Sequence, residues 1–150
     1  MPHPLPIKTH WKQKKFKIRP ARLADLKSVK KLFSYINHNI KKEEVEEMID
    51  NRNVFVLKDG KKRIKAAFAY SIYTVAGLFT VMYIKKLSVH PALKGKGIGR
   101  FLLEHIKEEG IKIGATLLLL YSVKQAYGFY KKNQMKNFWR FFWWKNKKNV

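Results

Sequence analysis

Nineteen consecutive residues, Ala66 to Ile84, carry no charge and lie between Lys65 and Lys85. That length matches a helix crossing a bilayer. The composition argues for a different structure. Phe68, Tyr70, Ile72, Tyr73, Thr74, Val75, Phe79, Thr80, Val81 and Tyr83 are β-branched or aromatic, and such side chains suit a pleated, half-buried surface. Ala76-Gly77 interrupts the run near its middle. The pattern predicts two long antiparallel strands joined by a tight turn, and no membrane span.

The run leads into Ile84 to Arg100, I-K-K-L-S-V-H-P-A-L-K-G-K-G-I-G-R. This reads as the end of a strand, a short turn at His90-Pro91, a glycine-rich loop and the first turn of a helix. The helix is expected from Gly97 to about Glu109, with Ile98, Phe101, Leu102, His105 and Ile106 on one face and Gly110 as the residue that ends it. Gly95, Gly97 and Gly99 let backbone approach a ligand without a Cβ in the way. The helix N-terminus behind them presents unpaired amides and positive partial charge, and Lys94, Lys96 and Arg100 add full charges. Such a loop suits phosphate. It is not a P-loop, because G-x-x-x-x-G-K-S/T is missing. Nor is it a dinucleotide fingerprint, because counting G-x-G-x-x-G from Gly95 ends on Arg100.

Downstream, Thr116 to Tyr121 (T-L-L-L-L-Y) is an apolar run of strand length, as for a strand buried on both faces. Val123, Ala126, Tyr127 and Tyr130 then mark a helical face, which Gly128 interrupts at a cost of about 1 kcal/mol relative to Ala. The tail Asn137 to Lys145, N-F-W-R-F-F-W-W-K, reads as a closing strand or as an exposed aromatic surface for a partner.

Upstream, Met1 to Lys15 holds three prolines and four lysines with no apolar period, and reads as a mobile basic lead-in. Residues 16–150 read as a single domain. Phe16 to Arg19 alternates like a first strand. Leu26, Val29, Phe33 and Ile36 give a helix face, with Asp25 at its start as N-cap or first-turn acid. Lys42 to Asp50 forms a second helix with Val45, Met48 and Ile49 inward. Val54 to Leu57 is a strand, Asp59-Gly60 a hairpin turn, and Ile64 begins the returning strand. The absence of cysteine excludes disulfides and Cys-based zinc sites and fits a cytoplasmic protein; no metal site is expected. A net charge of +23 predicts attraction to nucleic acid, phosphorylated ligands and anionic membrane.

Several of these blocks resemble the GNAT superfamily of N-acetyltransferases. Its acyl-CoA loop reads Gln or Arg, two residues, Gly, one residue, then Gly or Ala. Here that is Lys94-Gly95-Lys96-Gly97-Ile98-Gly99, preceded by the family-like Leu87-Ser88-Val89-His90-Pro91; Lys94 keeps the charge of the usual first residue but not the planar fork of an Arg. A-Y-G-F-Y-K-K-N-Q-M resembles the family's A-x-x-x-Y-x-K-x-G-F, with Ala126 and Tyr130 in register. Val123 stands where the family often has Asn, and Gln134-Met135 replaces Gly-Phe. The opening I-R-P-A-x-x-x-D-L is also family-like.

The resemblance implies an α/β protein of the GNAT fold, a mixed twisted central sheet of six or seven strands with about four helices on both faces. It implies acetyl-CoA as co-substrate and transfer of the acetyl group to a primary amine. The amides around Leu87, Ser88 and Val89 would pair with the pantetheine arm, and Lys94 to Arg100 would cradle the pyrophosphate. Ala126 and Phe129 would line the cofactor, and Tyr130 would protonate the departing thiolate. Many relatives use a Glu on or near the fourth strand as base, but no Asp or Glu occurs between Asp59 and Glu104. The base stays unassigned among Tyr83, His90, Tyr121 and an ordered water. Six of the ten acids fall within Glu43 to Asp59, and in this fold that helix lines the acceptor groove, where a cationic amine would be welcomed. Acceptors of this kind are small amines, peptides or proteins, and the chain is expected to act as a monomer or homodimer. Two other readings remain: a basic nucleic-acid-binding domain, or a CoA-binding protein of this fold without catalysis.

Overall fold

The computed structural model describes residues 16–146; the lead-in expected over Met1–Lys15 lies outside them. The architecture is α/β, a mixed seven-stranded sheet with four α-helices. In chain order these are β1 (Lys17–Pro20), α1 (Leu26–Ser34), α2 (Lys42–Asp50), β2 (Val54–Lys58), β3 (Ile64–Val75), β4 (Phe79–Val89), α3 (Ile98–Lys112), β5 (Leu117–Tyr121), α4 (Tyr127–Lys132), β6 (Lys136–Phe138) and β7 (Phe141–Lys145). The strand order is β1-β2-β3-β4-β5-β7-β6. The uncharged run is a hairpin, as its composition predicts. Ala76 and Gly77 both take positive φ (53° and 65°), and the Leu78 amide donates to the Val75 carbonyl at 3.0 Å. This is the two-residue turn whose twist suits paired strands. Among the described residues no helix is long and apolar enough to cross a membrane.

The chain forms two compact units. In the first, residues 16–69 with 86–102, β1, β2 and the first half of β3 pair antiparallel, with Val54↔Ala69 and Ile18↔Leu57 in register. Helix α1 contributes Val29, Leu32 and Phe33, and α2 contributes Val45, Met48 and Ile49, against Val54, Val56, Ala67 and Ala69. The opposed pair Phe55 and Phe68 stacks at 5.2 Å between ring centroids.

Two local readings change in this unit. Helix α1 stops at Ser34, before Ile36, and the chain turns just beyond it, where the Asn37 side chain accepts the Asn39 amide at 3.1 Å. Ile36 is left exposed. The β2–β3 connection is not a two-residue Asp59-Gly60 turn. The Asp59 amide donates to the Arg63 carbonyl at 2.9 Å and Lys62 takes the left-handed conformation, φ 63°, which makes a three-residue hairpin loop. The Asp59 carboxylate holds it by accepting the amides of Lys61 and Arg63.

In the second unit, residues 70–85 with 103–146, β4 and β5 run parallel from Val81↔Leu117 to Ile84↔Leu120, linked by α3 as parallel strands require. Helix α3 runs past Gly110 to Lys112. The end is instead at Gly114, φ 76°: its amide donates to Ile111 and the Ala115 amide to Gly110, at 3.1 and 2.8 Å, the paired bonds of a Schellman cap. The tail is two strands rather than one. β7 pairs with β5 and β6 folds back on β7 around Trp139, φ 54°. Phe142 is fully buried while Phe138 and Trp139 are exposed, so the aromatic tail serves both as core and as surface.

Asp25 does more than start a helix. Its carboxylate accepts two bonds from the Arg19 guanidinium (2.7 and 3.1 Å) and one from the Arg22 amide (2.8 Å). Burial alone would raise its pKa, but these bonds outweigh it and hold it below the usual 3.8. A lowered acid contributes stability above its unfolded pKa and loses it as pH falls through the folded value. Asp25→Asn should therefore cost about 1–3 kcal/mol at pH 7, and the deficit should shrink below about pH 3.8, as denaturant titrations at the two pH values would show. A Cβ added at Gly110 would meet the Met82 sulfur at 3.5 Å, an ordinary contact. Gly110→Ala should accordingly stabilise the protein by up to about 1 kcal/mol, read as a rise in melting temperature.

Candidate active site

Within the first unit, the end of β4 is fastened at two points. The buried Ser88 hydroxyl donates to the Leu32 carbonyl at 2.7 Å, and the His90 amide donates to the Lys65 carbonyl at 2.8 Å. Ser88 thus commits its hydroxyl proton to α1. Leu87 and Val89, on either side of it, are half-buried. The β4–β5 ladder ends at Ile84↔Leu120, five residues before β4 itself ends at Val89.

His90 caps the short 3₁₀ turn Pro91–Leu93, its Nδ1 accepting the Ala92 amide at 3.1 Å. An Nδ1 that accepts puts the proton of the neutral ring on Nε2. The ring meets Tyr35 edge-on at 6.4 Å. His90, Lys31, Leu32, Tyr35, Ile64 and Lys65 line a cavity of about 190 Å³. Nothing in the sequence marks Tyr35 or Lys65 as a site residue. Their meeting with His90 depends on how α1 lies against the start of β3, which no local pattern encodes.

Beyond the 3₁₀ turn, Gly95 and Gly97 take φ of 76° and 84°, the left-handed region that L side chains avoid. The Gly97 carbonyl accepts the Phe101 amide at 3.1 Å. Gly97 is therefore the N-cap, and α3 begins at Ile98, one residue later than the pattern suggests. The amides of Ile98, Gly99 and Arg100 belong to the first turn and have no acceptor within the helix. Ile98 is 1% exposed and pins this turn to the core, while Lys94 and Lys96 are exposed and Arg100 half-buried. The unit thus presents free amides, the positive end of a fifteen-residue helix and three cations at one place.

In the second unit, Ala126 closes the 3₁₀ turn Lys124–Ala126 and is the N-cap of α4. Tyr130 is buried, its ring against Phe129 at 5.1 Å and Phe142 at 5.4 Å. Burial pushes its phenol up to about 12. Where the family motif has glycine, Gln134 takes the left-handed conformation itself, φ 67°, and Met135 is buried after it. The departure keeps the turn. Lys107 is buried too, donating to the Asn133 carbonyl at 3.1 Å and lying over the Trp144 ring at 5.4 Å. Among the described residues no group of three or more His, Cys, Asp or Glu could hold a metal ion.

Solved structures share the fold. That of Arabidopsis thaliana NAA60 with a bisubstrate analogue aligns over 87% of this chain and 97% of its own, with TM-score 0.74 and 14% identity. Arabidopsis thaliana glucosamine-6-phosphate N-acetyltransferase aligns over 82% and 92%, with TM-score 0.65 and 19% identity. The glucosamine N-acetyltransferase region of a fungal multi-domain β-N-acetylglucosaminidase aligns over 81% of this chain, with TM-score 0.70 and 20% identity; this chain spans only 17% of that protein. No curated protein sequence matches. A family model described as an acetyltransferase (GNAT) domain matches residues 50–134. That is more than half of the chain, and the chain belongs to the GNAT family of acetyltransferases.

Proposed function

We propose that the protein transfers an acetyl group from acetyl-CoA to a primary amine by direct attack of the amine on the thioester. The observation that carries this reading is the loop Lys94–Arg100, with two left-handed glycines and an open helix N-terminus. The amides of Ile98, Gly99 and Arg100 suit a pyrophosphate, and the flanking cations add attraction that salt weakens. An extended pantetheine arm can lie along the last residues of β4 as an added strand, using the backbone at Leu87 and Val89. One of those amides then faces the thioester carbonyl and stabilises the negative charge that grows on its oxygen. The family motif to which Ala126 and Phe129 belong implies a place for both along the arm.

Two protons must be managed. The amine must be neutral to attack, and the sulfur must gain a proton as its bond to the acetyl carbon breaks. With a phenol pushed up to about 12, Tyr130 is protonated across the working range, as a donor to sulfur must be. It regains the proton that the nitrogen loses on becoming an amide. No carboxylate lies between Asp59 and Glu104, and His90 Nδ1 is occupied by Ala92. The amine therefore arrives neutral by its own titration, near pH 7.7–8.0 for an α-amine and near 10.4 for lysine. The glutamates of α2, mostly exposed, supply the negative field that draws a cationic acceptor inward. The acceptors fitting this scheme are a protein N-terminus, a lysine or a small amine.

Gly97→Val should abolish acetyl-CoA binding in calorimetry. A β-branched residue at φ 84° is also strained, so a stability loss of about 1–3 kcal/mol should accompany it. Lys96→Ala, which leaves the backbone alone, should only weaken binding. Unchanged affinity in both would remove the loop from the site.

Tyr130→Phe keeps the packing against Phe142 and removes the donor. Its kcat should fall roughly 10²–10⁴-fold, with acetyl-CoA affinity nearly unchanged. In both enzymes the rate should rise with pH through the amine's titration. A variant with full kcat would leave Tyr130 only a core role.

A further inference from the structure

The β3–β4 hairpin ends in a tip that the fold of its own unit leaves bare. From Ile72 to Phe79 every residue is exposed. The large apolar ones are Ile72, Tyr73, Val75, Leu78 and Phe79, Leu78 being 78% exposed. Successive side chains of a strand point to opposite faces, so Ile72 and Tyr73 show that both faces of the ribbon are uncovered. Along its outer edge, β3 pairs with β2 only as far as Ala69. An uncharged ribbon, apolar on both faces and bare at its tip, is costly in water and marks a contact surface.

We propose that this tip inserts into the interfacial layer of an anionic lipid bilayer. Charge selects the occupant. The chain carries +23, and part of that charge lies on the body beside the hairpin. Lys145 lies opposite Leu117, itself opposite Val81. Lys112 ends α3 just before Thr116, whose amide donates to the Thr80 carbonyl at 2.9 Å. Lys112 is exposed, although Glu109 at 3.5 Å offsets part of its charge. A second copy would bring another +23 to the same place and be repelled. A peptide added along β3 would cover its edge and leave both faces wet. Nucleic acid would accept the charge but gain little from Leu78, Val75 and Ile72. A membrane of anionic headgroups over an acyl layer answers both the charge and the two-sided apolar surface.

The dimensions agree. Four strand residues reach about 13 Å at roughly 3.3 Å each, and interfacial elements bury about 5–10 Å. Insertion stays shallow, because the outer edge of β3 still needs partners from water or headgroups, which the acyl core lacks. Tyr73 suits that boundary, having an apolar ring and a polar tip.

The chain has no cysteine, so Leu78→Cys can carry one environment-sensitive fluorophore. With vesicles of phosphatidylcholine and 30% phosphatidylserine, the label should shift to the blue and brighten; with phosphatidylcholine alone it should not. The double variant Leu78→Glu, Phe79→Glu should bind the anionic vesicles at least tenfold more weakly at 0.15 M salt, with its melting temperature unchanged because both side chains are exposed. Equal binding by the double variant would mean that charge alone holds the protein, and would overturn the proposal, as would no binding by the parent chain. A dimer in sedimentation that the same variant dissolves would assign the tip to a second copy and overturn it too.

Discussion

Backbone hydrogen bonding decides what the uncharged run becomes, and the rest of the molecule follows from that. A stretch of nineteen apolar and hydroxylic residues could satisfy its own amides as a helix or pair them across a hairpin. The β-branched and aromatic content favours pairing, and Ala76-Gly77 supplies a turn with the right twist. Once β3 and β4 exist, β2 adds to one side and β5 to the other. The glycine loop follows directly from the end of the second of these strands.

The most consequential of those ends is that of β4. Between Val81 and Ile84 it is paired with β5, while Ser88 and His90, which belong to the first unit, are fastened to Leu32 and Lys65 of that same unit. The strand thus passes from one set of partners to another along its length. A strand that outruns its ladder has backbone groups to offer, and the left-handed glycines follow at once. On the proposed reading, peptide geometry would supply the recognition, with the lysines as a long-range supplement.

Much of this was legible in the sequence where the signal was local. The hairpin showed in composition, the left-handed turns before α3 in their glycines, and the inward faces of α1 and α2 in their periodicity. What escaped depended on backbone conformations that no residue type announces. Lys62, Gln134 and Trp139 all take positive φ, a state usually left to Gly or Asn. A turn at Asp59-Gly60 and a single tail strand were natural expectations that those residues overrode. Gly110 looked like a helix end because glycine usually is one there; Gly114, four residues on, closes the Schellman cap instead. The bonds of Ser88 and the cavity beside His90 were invisible because they join segments far apart in the chain.

The division into two units has a consequence for cooperativity. Neither unit is a continuous piece of chain: residues 70–85 leave the first and residues 86–102 leave the second. β3, β4 and α3 each begin in one unit and finish in the other. The entropy of closing excursions this short is modest, since it grows only logarithmically with length. Melting either unit alone, however, would break three elements in mid-course. The two units should therefore unfold in a single transition, and no excised fragment would carry one unit intact.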